Sequence, residues 1–101
     1  MTRVTNRVVF LINKFFSVRD SEFAISLLAE QCGNNLPLCE KWTLKELDRI
    51  RFAVIKISDG NIEELKSAVK LAKIDWRDLL VNVGFAKDIN SHNIWADTAL
   101  F

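Results

Sequence analysis

A chain of 101 residues, half hydrophobic and 27% charged, has the balance of one globular domain with a full core. That excludes disorder and leaves too little chain for two independent cores. Fourteen basic residues against thirteen acidic give a formal charge of +1, so no global field gathers nucleic acid or an anionic membrane.

Three glycines and one proline allow few turns, which favours long helices over many short strands. The charge is unevenly placed. Residues 1–19 hold Arg3, Arg7, Lys14 and Arg19 and no acid, leaving ten of the fourteen bases against all thirteen acids in the remainder. A basic, acid-free, amphipathic start also has the character of a mitochondrial presequence. The preferred reading is a first helix, whose apolar side chains a core of this size needs. Cys32 and Cys39 stand seven positions apart without a CxxC or a neighbouring histidine, which fits neither zinc nor a redox motif. Two reduced, half-buried thiols are expected, and with them a cytoplasmic protein of bacterial type. No apolar run approaches the roughly 18 residues of a membrane span.

From Arg3 to Val18, Val4, Val8, Leu11, Ile12 and Phe15 recur at helical spacing, while Arg3, Asn6, Arg7, Asn13, Lys14 and Ser17 gather on the opposite arc. This predicts an amphipathic helix whose apolar face Val9 and Phe16 widen. Phe10 falls on the polar arc between the arginines, where edge packing or a partner contact would each account for it. Asp20 or Ser21 then caps a second helix over 21–32, with Phe23, Ala24, Leu27, Leu28 and Gln31 on one face and a stop at Gly33, Asn34 and Asn35. Pro37 suits the first position of a short helix through Cys39 to Trp42.

Thr43 to Glu46 reads T-x-x-E directly before an apolar run, a capping box that predicts a third helix over 44–57. Leu44, Leu47, Ile50, Val54 and Ile57 form its core side, and Lys45, Arg49, Phe52 and Lys56 form a stripe on the other. A basic stripe carrying an aromatic ring suits phosphates, an acidic protein surface, or plain solvation. Ser58 to Asn61 makes a turn, and Asn61 caps a fourth helix that buries Ile62, Leu65, Val69 and Ala72. Asp75 offers a cap for a separate helix from Trp76 to Val83, and the break is expected to turn Ile74 and Val81 towards the core. Gly84 ends that helix as a left-handed cap with Phe85 folding back. Asp88 opens a last short helix carrying Ile89, His92 and Trp95, and residues 96–101 form a loose tail. The fold class is all-α, a compact single-domain bundle of about five to six helices over residues 1–101.

Chemistry-bearing residues are few. Asp88 and His92, with Asp75 or Asp78, would give a metal only one histidine and no second strong ligand, so no metal or other cofactor is expected. The cysteines lack a local nucleophile motif, the carboxylate pairs Glu63/Glu64 and Asp75/Asp78 belong to helix starts, and the glycines stand singly at helix ends. Two helices meeting near Ile74 have the outline of a helix-turn-helix, but DWRDLLVNV offers a phosphate backbone two acids and one base. No catalytic residue is predicted, and the chain is expected not to be an enzyme.

The block DWRDLLVNVGFA at residues 75–86, followed by His92 and Trp95, resembles the C-terminal block of small uncharacterised bacterial helical proteins. No functional residue is carried over from them. In size and character the whole chain is also similar to immunity proteins, which bind and block toxins of competing bacteria. That similarity implies a non-enzymatic protein-binding role with a toxin as partner. The residues expected to meet the partner are Phe10 with Arg3, Arg7 and Lys14, and Phe52 with Lys45, Arg49 and Lys56, since aromatic and arginine side chains anchor interfaces. Two alternatives stand beside it: a nucleic-acid-associated protein using the same basic elements, and a homodimer that buries the wide apolar face of the first helix.

Overall fold

Hydroxyl and amide side chains start four of the five helices in the computed structural model, which describes residues 2–100. Thr5 accepts from the Val8 amide and opens α1 (Asn6–Phe15); Ser17 accepts from the Asp20 amide and opens α2 (Val18–Gln31). The expected capping box is present at α3 (Leu44–Ser58): Thr43 Oγ1 accepts from the Glu46 amide, and Glu46 Oε1 accepts from the Thr43 amide at 2.9 Å. Those bonds also hold the Glu46 carboxyl below its usual range. Asn61 caps α4 (Ile62–Val83), and α5 (Ser91–Leu100) completes an all-helical fold with no strand among the described residues.

Several expected boundaries move, each for a local reason. The first helix begins at Asn6 rather than Arg3, because the segment before it is tied down by side-chain donors from α3. Its last residue is Phe15, since Phe16 is extended (φ −108°, ψ 153°) and Ser17 is already the next cap. Val18, 94% exposed, therefore starts α2 instead of ending α1. Pro37 to Trp42 forms successive turns rather than a short helix, with Leu38 in the left-handed region at φ +65°. Gly33 is not a left-handed stop. A Cβ there would lie 2.6 Å from Thr2, so its role is to let the N-terminal segment cross closely.

The break at Asp75 is present, with φ −158° and ψ 95° inside α4. Asp75 Oδ1 accepts from the Arg77 amide at 3.0 Å and from Arg77 Nε at 3.1 Å, recapping the second half of the helix. Ile74 and Val81 nonetheless remain outside, 78% and 64% exposed. The stripe Leu65, Val69, Ala72 continues in phase into Leu79, Leu80 and Val83, all buried, so the kink bends the helix without rotating its apolar face. Gly84 at φ +82° and the Phe85 amide bonded to Leu80 O form the expected left-handed stop. Residues 96–100 are helical with Ala96 fully buried, not a loose tail; Phe101 lies outside the described residues.

α3 is the axis of the molecule. It packs most extensively on α4, and α1 and α5 also lean on it. Every residue from Ile50 to Ile55 is buried, as are Leu47 and Asp48. The helix that looked amphipathic is enclosed on all sides from Ile50 to Ile55, while its first turn stays open at Lys45 and Glu46, in a globule of 12.0 Å radius of gyration.

Candidate functional site

The first turns of α3 and the loop leading into α5 bound a cleft of about 360 Å3. Trp42, Lys45, Glu46 and Arg49 line one wall, and Ile89, Asn90, His92 and Asn93 the other. Local chemistry fixes both walls. The Thr43/Glu46 capping box sets the start of α3, and Asp88 Oδ1 accepts from the Asn90 amide at 2.7 Å in a side-chain turn that starts α5. Between them Arg49 clamps the α4 to α5 loop. Its Nε and Nη2 donate to Phe85 O at 3.2 and 2.6 Å, and Nη2 also donates to Ala86 O at 3.3 Å.

His92 is 5% exposed and packs at 5.4 Å from the Phe52 ring and 6.2 Å from that of Phe85. Its Nδ1 is buried and has no hydrogen-bond partner. Burial, and then the positive charges of Arg49 and Arg7, push the imidazole down from 6.5 to about 4, with the Ile89 carbonyl opposing. His92 is therefore neutral near pH 7. The fixed charges of the lining are Lys45 and Arg49 against Glu46, a net single positive charge.

Only some of the residues expected to meet a partner come together here. Lys45 and Arg49 line the cleft, and Arg7 reaches its edge through Asn93, donating from Nη1 to Asn93 Oδ1 at 2.7 Å. Arg7 also pairs with Asp97 at 2.6 Å and lies 5.5 Å from the Phe52 ring centre. Phe10 stands clear at 57% exposed, one turn beyond Arg7. Arg3 and Lys14 are exposed and away from the cleft lining, and Arg3 contributes its carbonyl to the core rather than its charge.

Phe52 corrects the expected surface stripe outright: it is fully buried among Arg7, His92 and Trp95, because α1 and α5 cover the side of α3 that was read as outward. Lys56 is likewise committed internally, donating to Val83 O at 2.8 Å and sitting 5.1 Å from the Phe85 ring centre. Lys56 satisfies a carbonyl at the C-terminal end of α4, where the helix dipole favours cations, and Arg49 two carbonyls just beyond it.

Sequence reasoning passed over Arg51. It is fully buried and donates to Cys32 O at 2.8 Å, Thr2 O at 2.8 Å, Leu28 O at 3.5 Å and Arg3 O, drawing residues 2–3 onto the end of α2. Asp48, one turn earlier, accepts from Thr5 Oγ1 at 2.8 Å; its burial raises its pKa against that bond. The available signal was the run Ile50 to Ile55, in which Arg51 is the single polar residue. Both cysteines are free and fully buried rather than half-buried. Burial pushes Cys32 up to about 12 and Cys39 to about 11, so neither is a thiolate near neutral pH. Among the described residues no three of His, Cys, Asp and Glu are grouped to hold a metal ion, and no helix is long and apolar enough to cross a membrane.

No known protein family, no curated protein and no solved structure matches this chain.

Proposed function

We propose that the chain is a non-enzymatic protein-binding protein of the inhibitor or immunity type, which covers a partner's surface with the face that carries the cleft between α3 and α5. The observation that supports this reading most is the concentration of exposed apolar side chains around a basic rim. Ile89 is 71% exposed at the cleft wall, and Phe10 (57%) and Ile94 (64%) each stand one turn from a member of the Arg7/Asp97 ion pair. Apolar anchors beside arginine and lysine are the composition of interface cores and rims. The basic rim favours an acidic partner surface. An ordinary interface occupies about 800 Å2 per partner, a modest share of the chain's 5997 Å2.

The two alternatives have lost support. Phe52 is buried and Arg49 and Lys56 are tied to backbone carbonyls, so α3 presents no continuous basic and aromatic stripe to a nucleic acid. The apolar face of the first helix, on which self-association rested, is covered within the chain, with Val8, Leu11 and Ile12 fully buried.

Tagged chain and a Phe10→Ala/Lys45→Glu variant, both exposed positions, test the reading by capture from the native lysate. Wild type should retain a one-to-one partner that the variant releases, while Lys70→Glu, on the exposed side of α4, retains it. Absence of a stoichiometric partner, or equal retention by all three proteins, would overturn the reading.

A further inference from the structure

We propose that the His92 cleft is a ligand site for a small organic monocarboxylate with a flat apolar body, separate from any protein that covers the surrounding face. At about 360 Å3 the cleft falls within the range of small-molecule sites, which are mostly apolar with a few converging polar groups. Trp42, Ile89 and the His92 ring supply the apolar surface. Two of those three are planar, so a flat body gains stacking contact that a branched chain would not.

The polar groups select the sign and number of charges. Glu46 commits one of its two oxygens, Oε1, to the Thr43 amide. Arg49 places Nε and Nη2 on the Phe85 and Ala86 carbonyls, which leaves Nη1 for a ligand. Asn93 Oδ1 is taken by Arg7, so the amide offers Nδ2. Lys45 adds an ammonium. The unengaged groups are therefore chiefly donors, and the lining carries one net positive charge, which a single carboxylate neutralises and a dianion exceeds.

His92 forms the inner wall of the cleft, 95% buried against the Phe52 and Phe85 rings. Its Nδ1 has no accessible surface, so the histidine offers a ligand ring surface and no charge.

Calorimetric titration with 3-phenylpropionate tests the assignment, with 3-phenylpropylamine and inorganic phosphate as the matched arms. The carboxylate should bind with a dissociation constant below about 1 mM, and the amine and phosphate at least about tenfold more weakly, as expected for loss of one charge-assisted contact. Amide shifts on binding should centre on Lys45, Ile89 and Asn93. Lys45→Met and Ile89→Ala change exposed side chains, so both should keep the fold while weakening the carboxylate severalfold. Equal binding of amine and acid, failure of the acid to saturate by about 10 mM, or full affinity in both variants would each overturn the proposal. Because no partner protein is present in this titration, its failure leaves the capture experiment, and the protein-binding reading, untouched.

Discussion

Lowering the pH from 7 to 5 should destabilise the fold through His92, and the structure sets the size of the effect. The imidazole titrates near 6.5 in the unfolded chain and about 4 in the folded one. Above pH 6.5 it is neutral in both states and contributes no pH dependence. As the pH falls through that value the unfolded chain takes up a proton that the folded protein, with His92 enclosed by Phe52, Phe85 and the Arg49 and Arg7 charges, refuses. The stability lost grows until pH 4, where folded His92 also titrates. A shift of this size amounts to about 2 kcal/mol by pH 5. Urea denaturation of wild type and His92→Phe at both pH values isolates the term, since the carboxylates are common to the two proteins. Wild type should lose about 2 kcal/mol more than the variant. Equal losses would show that His92 is not held neutral, and the electrostatic account of the cleft floor would fail.

Arg51→Met should cost at least about 3 kcal/mol, about 1 or more for each buried carbonyl left unpaired, because it orphans the carbonyls of Thr2, Arg3 and Cys32. Denaturant melts give the loss, and faster proteolysis ahead of Thr5 should accompany it. Gly84→Ala should cost only about 1 kcal/mol, since at φ +82° a Cβ meets nothing within 4 Å; Gly60→Ala should cost clearly more, its Cβ falling 2.3 Å from Phe15 O. Equal melting temperatures for these two variants would refute the packing of the α3 to α4 turn under the end of α1. Trp76→Phe should lose about 1 kcal/mol by giving up the 2.6 Å bond from Nε1 to Pro37 O, while keeping a ring against Trp42. Thermal melts check it.

Local chemistry was legible wherever a motif acts within a few residues. The Thr43/Glu46 box, the Asp75 break and the Gly84/Phe85 stop all appear where their side chains dictate, because the bonds concerned span only two to five positions. The site was hidden for the opposite reason. Arg7 bonds Asn93, Arg49 bonds Phe85, and the cleft joins residues 42–49 to 89–93, all contacts set by how α1 and α5 fold onto α3. Phe52 shows the cost of reading a helix alone: its spacing placed it with lysines and arginines, and only the packing of two further helices reveals it as core. Ile74 and Val81 show the converse, where a break in the backbone left the apolar phase unchanged.

The claim that the face around the cleft meets a protein partner is tested most directly by a photo-reactive benzoylphenylalanine placed at Ile89 and, in a second protein, at Ile74, both exposed. Irradiated in the native lysate, the chain labelled at 89 should yield one discrete adduct with a single partner, and the chain labelled at 74 should yield none. An adduct from position 74 alone, or from neither position, would contradict the assignment.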